Sequence, residues 1–407
     1  MATAAETFTG GPLVEPHTVG LTRAGKVRVD AIDMLRGLVI AIMVLDHVRD
    51  FFHVSANAFD PTDPSQSWPL LYLTRWVTHL CAPTFVLLSG VSIYLQKING
   101  KTGVALGRFL VSRGLWLVFL ECTVIMFAWN FGRPYWLLQV IWAIGWSMVA
   151  MALIAQLPSK AVLVIGIALV ALSPIALIPF APASDAATIA DQLLFGTAPI
   201  AGLPVFIAYP IIPWLGVMAM GFGAGPLFAG TAAERRRQLL PIALGLIALF
   251  FVLRRMNSYG SIRPWLHLPD QGRTVMSFFD VSKYPPSPDY VCITLGLSLL
   301  VFLGIEHLRG PLARILRDFG RTPLFTYTAH LYIAHGLMLA AAIAIGRPQA
   351  ALNLFDQIFS GREPPNWGWS LGVVYLVWLL VLAILVPLSR WFAGVKQRRR
   401  DWWLSYL

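Results

Sequence analysis

Residues 28–53 read RVDAIDMLRGLVIAIMVLDHVRDFFH, and this stretch constrains the fold more than any other. Its apolar run is long enough to cross a bilayer as a helix of about 20 residues. Yet it carries Asp33, Arg36, Asp46, His47, Arg49, Asp50 and His53. A charged side chain at the bilayer centre costs about 2.5–3.5 kcal/mol on insertion scales, so such groups turn toward a polar interior. A helix advances about 100° per residue, which sets Asp33, Arg36, Ile40, Met43, His47 and Asp50 on one face. Arg36 and His47 are then separated by about 16 Å of rise and only about 20° of rotation. One stripe joins a cation near one surface to an imidazole near mid-membrane.

The rest of the chain fits a polytopic membrane protein. Of its 407 residues 57% are hydrophobic and only 13% charged, with a mean hydropathy of +0.68, which excludes an ordinary soluble domain. A net charge of +11 invites a nucleic-acid partner, but most cations sit in short loops between apolar runs, where they orient the chain. Membrane lipid is the expected surrounding, and no nucleic acid is expected. Cys81, Cys122 and Cys292 belong to no metal spacing and suggest no disulfide framework, so no metal is predicted. Residues 1–27 lack the apolar core of a signal peptide and read as a loose cytoplasmic tail.

The expected fold class is all-α, a transmembrane helical bundle. Ten apolar spans lie at roughly 32–53, 71–95, 109–129, 135–156, 160–178, 204–225, 238–256, 290–307, 323–346 and 368–390. One set of connections holds nineteen Lys and Arg and the alternate set six, which places both termini on the cytoplasmic side of the membrane. A membrane domain over 28–394 is followed by a basic, aromatic cytoplasmic tail over 395–407. The outer loops are 54–70, 179–203, 257–289 and 347–367. The third is long, aromatic and polar, and reads as a lid or as a solvated connector. Lys283 and Tyr284, in KYPPS, make its end stiff and rich in hydrogen-bonding groups.

Further polar residues mark the spans. Arg75 and His79 are i,i+4 partners ahead of Pro83, which predicts a kink. His79 rises from the opposite side to a depth like that of His47, so the two imidazoles are expected to meet. The alternative is a packed histidine bonded to a carbonyl. Glu121 needs a partner or a proton; it pairs with Arg75 or another cation, or it takes part in chemistry. In GRTPLFTYTAHLYIAH, Tyr327, His330 and His335 suggest a polar cavity, and Arg321 suits a phosphate or serves as a topology charge. There is no Walker loop, dinucleotide fingerprint, HExxH or nucleophile elbow.

The stretches IDMLRGLVIAIMVLDH, RWVTHLCAPTFVLLSG, KYPPS and GRTPLFTYTAHLYIAH resemble bacterial membrane proteins related to heparan-α-glucosaminide N-acetyltransferase. Arg36 and His47 also reproduce the R-x10-H pattern of a broader group of membrane acyltransferases. The resemblance implies transfer of an acyl group from cytosolic acetyl-CoA, or another acyl-CoA, to an acceptor on the far side. That acceptor is expected to be a glycan or small molecule carrying a hydroxyl or amine. Arg36, with Arg113 and Arg321, then holds the CoA end. His47 acts as base, supported by Asp46 or Asp50, with His79 or His53 sharing that role or stabilising the developing oxyanion. Direct transfer and an acyl-histidine route both fit. A homodimer is compatible with this reading. The rival is a proton-coupled transporter built from the same buried groups; a third is an assembly component without chemistry.

Overall fold

The computed structural model describes residues 20–21, 27–55, 58–131, 135–176, 189–200, 203–352, 354, 367–399, 401 and 404. Most of the expected tail 1–27, much of loops 179–203 and 347–367 and part of the tail 395–407 lie outside the described residues. Strand β1 (Gly20–Leu21) pairs antiparallel with β2 (Val27–Arg28), which leads into helix α1 (Asp30–Phe52). Seventeen of the 23 residues of α1 are buried, because it carries six charged residues and must be enclosed by other helices. Within the enclosure the charges pair: Arg28 with Asp33 at 2.6 Å, Arg49 with Asp46 at 3.1 Å, and Arg75 with Asp46 at 2.7 Å.

The next span breaks into α2 (Pro69–Thr78) and α3 (Cys81–Ile98), with the interruption at His79 and Leu80. The kink therefore falls just before Pro83, which occupies the first turn of α3, where its missing N–H is harmless. Helix α4 (Gly103–Leu120) continues through a π-helical turn over Glu121–Ile125 into α5 (Met126–Asn130). Residues 135–139 were expected inside the fourth span. Instead β3 (Trp136–Leu138) forms there, and α6 (Val140–Ile154) starts after it. Then follow α7 (Ser159–Ala176), α8 (Ile189–Leu194), β4 (Ala198–Pro199) and β5 (Val205–Ile207). β5 pairs parallel with β3 and antiparallel with β4, a small sheet within an otherwise helical chain.

Helix α9 (Ile211–Gly223) and the short α10 (Gly225–Ala229) precede α11 (Ala232–Met256), which opens with a reciprocal Thr231–Glu234 capping box. The long loop after α11 is not structureless: it contains α12 (Gln271–Phe279). Arg254, fully buried, donates to the carbonyls of Ser277 (2.8 Å), Phe278 (2.7 Å) and Arg263 (3.0 Å) and faces Asp289 at 3.3 Å. Tyr72 and Trp76 of α2 donate to the carbonyls of Met276 and Phe279. The loop is thus bolted down along the C-terminal half of α12 and at Arg263.

Helix α13 (Pro288–Ile305) is followed by α14 (Gly310–Arg321), a segment expected to be a connection between spans. It is amphipathic, burying Ala313, Leu316, Phe319 and Gly320. It lies against α1 so closely that a Cβ at Gly37 would overlap the Leu316 carbonyl, and one at Gly320 the Asp33 carbonyl. Helices α15 (Pro323–Ala344), α16 (Pro348–Leu352) and α17 (Leu371–Arg398) complete the chain. α17 runs to Arg398, so the expected tail from 395 begins as helix. Helices α2, α3, α13, α14, α15 and α17 all pack on α1, which is the axis of the fold.

Among the described residues six helical stretches are long and apolar enough to cross a membrane: 69–98, 103–130, 232–256, 288–305, 323–344 and 371–398. Three shorter apolar helices, 140–154, 159–174 and 211–223, accompany them. The chain is a mostly helical membrane protein.

Candidate active site

Two cavities flank α1, and they share no lining residue. The first, about 430 Å³, lies toward the Arg36 end of α1 and is called proximal here. Arg36, Lys101 and Arg113 supply its cations; Ile93, Leu117 and Met148 are among its apolar walls. Arg36 is fixed by Asp33 at 3.4 Å, the Leu88 carbonyl at 3.1 Å and the Ser92 hydroxyl. Met43 is its last lining residue along α1, and Tyr327 of α15 lines it as well.

The second cavity, about 590 Å³, lies toward the Asp50 end and is called distal. Its wall contains Asp46, Asp50, Arg75 and His79, and the bolted loop contributes Lys283 and Tyr284. Arg75 donates to both oxygens of Asp46, at 2.9 and 2.7 Å. Lys283 lies 5.8 Å from the Tyr209 ring centre and 5.1 Å from that of Tyr284, within cation–π range. Sequence reasoning missed Asp60 and Arg263, which bridge two loops at 3.1 Å and line the same cavity. Partial burial opposes ionisation of Asp60. Arg75, the Thr62 N–H and hydroxyl, and Arg263 outweigh it and hold the carboxyl well below the usual range. Burial lifts Asp280 to about 6 against the pull of Arg263, 3.8 Å away.

The cavities come within about one helical turn of each other on α1, at Met43 and Asp46, a rise of about 4.5 Å. The same partition appears at the start of α6, where Gln139 lines the distal cavity and Val140 the proximal one. At this divide His47 Nδ1 lies 2.7 Å from His330 Nε2, with the rings stacked 4.9 Å apart. His330 Nδ1 lies 3.3 Å from the Thr326 carbonyl, which can only accept. The network therefore assigns the protons: His330 Nδ1–H donates to Thr326, and His47 Nδ1–H donates to His330 Nε2. His47 Nε2 is left with its lone pair on a residue that lines the distal cavity. Trp129 stands edge-on to His47 at 5.0 Å and Tyr327 at 6.2 Å, holding the imidazole between aromatic rings.

Other expected contacts resolve differently. His79 does line the distal cavity, but the partner of His47 is His330; the break at His79 ends the helix that was expected to carry its ring across. Glu121 does not pair with Arg75: its Oε1 accepts the Gln139 N–H at 2.9 Å. His53 stays outside both cavities, its Nδ1 held by the Ser55 N–H and hydroxyl beside Trp68. His335 is also outside them; it bonds the Ala128 carbonyl at 2.7 Å and stacks on Phe131, fastening α15 to the end of α5. Arg321 is not in the proximal lining but faces Asp30 at 3.8 Å. Among the described residues no group of three or more His, Cys, Asp or Glu is arranged for a metal ion.

No curated protein matches the chain. Residues 28–257, more than half of the sequence, match the family described as heparan-alpha-glucosaminide N-acetyltransferase, catalytic. That match covers α1, both broken spans and the first residues of each cavity wall, and so takes in the partition on the α1 side. The chain belongs to the heparan-alpha-glucosaminide N-acetyltransferase catalytic family.

Proposed function

We propose that the protein transfers an acetyl or other acyl group from acyl-CoA in the proximal cavity to a hydroxyl or amine in the distal cavity. The observation that carries this reading is the partition: two chemically different cavities come within about one turn of each other on α1, with the His47–His330 pair between them. The family favours acetyl transfer over transport. The Lys and Arg distribution supports ten crossings with both termini and the proximal cavity on the cytoplasmic side, and the resemblance to bacterial relatives favours a bacterial inner membrane.

The residues present suit CoA. Arg36, Lys101 and Arg113 offer guanidinium and ammonium groups to phosphates, and the apolar wall beyond them suits the pantetheine arm. When bound, acyl-CoA supplies a thioester, an activated acyl group. The chain's own part is to position and to move a proton. His47 Nε2 takes the proton of the attacking hydroxyl or amine as the new C–O or C–N bond forms and the C–S bond breaks. It then returns that proton to the departing thiolate. His330 and the Thr326 carbonyl keep His47 in the tautomer that has its lone pair on Nε2. Asp46, bound by both Arg75 and Arg49, keeps a fixed negative charge beside the imidazolium that forms.

The distal cavity combines carboxylates, cations and the rings of Phe59, Trp129 and Tyr209, a wall suited to a sugar. The test is to incubate purified protein with acetyl-CoA and a panel of amino sugars, sugar alcohols and envelope glycans. CoA thiol release and product mass are followed, with His47→Ala in parallel. Acetylated product from wild type only supports the reading; release of thiol without acceptor dependence, unchanged in His47→Ala, refutes it.

A further inference from the structure

The side chain of Tyr327 is almost fully buried, and its hydroxyl has no hydrogen-bond partner among the described residues. Buried polar groups are nearly always paired, because an unmatched one forfeits its hydration without return. Here the residue also lines the proximal cavity. Its ring is 6.2 Å from that of His47 and 5.4 Å from that of His330, edge-on to both. It lies one turn before His330 on α15, so the base's supporting residue and this phenol are set by the same helix face. A hydroxyl rotor can turn its proton toward whatever acceptor arrives.

We propose that Tyr327 donates a hydrogen bond to the thioester carbonyl oxygen, stabilising the charge that develops there during transfer. This rests on the acyl-CoA reading above and gives Tyr327 a catalytic role within it. The acyl carbon gains its bond to the acceptor oxygen or nitrogen and loses its bond to sulfur. The acceptor's proton passes through His47 to the sulfur, and Tyr327 keeps its own proton throughout. Tyr327 and His330 both lie beyond residues 28–257, so the family match assigns neither.

The test uses the full-length protein in detergent without acceptor, with [1-13C]acetyl-CoA bound to wild type and to Tyr327→Phe, read by infrared difference spectroscopy. The substitution removes only an unpaired hydroxyl, so the thermal midpoint is expected to hold or rise. The carbonyl band of wild type should lie below that of free acetyl-CoA, and in Tyr327→Phe it should return toward the free position. With an acceptor present, kcat should fall by about 10²–10³-fold, the usual cost of one oxyanion donor, while the Kd of acetyl-CoA changes little. An identical band in both proteins, or loss of binding in Tyr327→Phe, overturns the role while leaving acyl-CoA binding by wild type intact. Failure of folded wild type to bind acetyl-CoA overturns the acyl-CoA reading itself.

Discussion

Replacing His330 by alanine tests the proton arrangement at the partition. The His47–His330 bond is 2.7 Å long and both residues are buried, so water does not readily replace the lost acceptor. A buried donor left unpaired costs about 1–3 kcal/mol. With that penalty His47 no longer prefers its Nδ1–H tautomer, and the fraction with a lone pair on Nε2 falls. At 1.36 kcal/mol per tenfold, kcat should drop about 5- to 150-fold. His330 lines neither cavity, so the Kd of acetyl-CoA should stay within about threefold of wild type, the split expected for loss of an interaction made only in the transition state. His330→Gln, whose amide oxygen can still accept from His47, should recover most of the loss. The assay is initial-rate CoA release with the acceptor found in the panel, beside calorimetric binding of acetyl-CoA. A kcat within twofold of wild type, or a Kd that rises in step with the loss in kcat, refutes the arrangement.

Arg254→Met should lower stability by about 3–5 kcal/mol, because it leaves Asp289 buried without its cation and several carbonyls unpaired. Thermal unfolding in detergent should show it, with partial recovery in Arg254→Met/Asp289→Asn. Gly37→Leu should separate α14 from α1 and prevent accumulation of folded protein, whereas Gly336→Ala, with open space around it, should not; gel-filtration yield distinguishes them. Glu121→Gln retains the acceptor for the Gln139 N–H and should be well tolerated, while Glu121→Ala should cost about 1–3 kcal/mol in an unfolding titration. Asp280 binds its proton more tightly folded, near pH 6, than unfolded, near 4. Its contribution to stability is therefore complete below about pH 4 and lost as pH rises through 6. Asp280→Asn should abolish that part of the decline in thermal midpoint between pH 4 and 6.

The stripe on α1 was legible because helical periodicity alone sets Arg36, Met43 and His47 on one face, and the cavities do meet α1 along it. The break near Pro83 was legible for a similarly local reason. The His47–His330 pair was not: it joins residues 283 positions apart, and no spacing within one span records which histidines face each other. Depth alone pointed to His79, but depth does not fix rotation. Glu121 illustrates the same limit, since the partner of its Oε1 is a backbone N–H, and backbone partners leave no trace in residue identity. Helix α14 did leave one. Pro311 at its start and Leu312, Ile315, Leu316 and Phe319 at i,i+3 and i,i+4 spacing mark an amphipathic helix, obscured by its charges and its place between two spans. Asp60 with Arg263 falls at the other extreme, a contact between two irregular loops without periodicity.

The measurement closest to the central claim is calorimetric binding of acetyl-CoA to wild type, Arg36→Ala, Arg113→Ala and His47→Ala in detergent. The account predicts micromolar binding by wild type and by His47→Ala, at least about tenfold weaker binding when either arginine is removed, and acyl transfer by wild type but not by His47→Ala. Folded wild-type protein that does not bind acetyl-CoA, or arginine variants that bind it as wild type does, would contradict it.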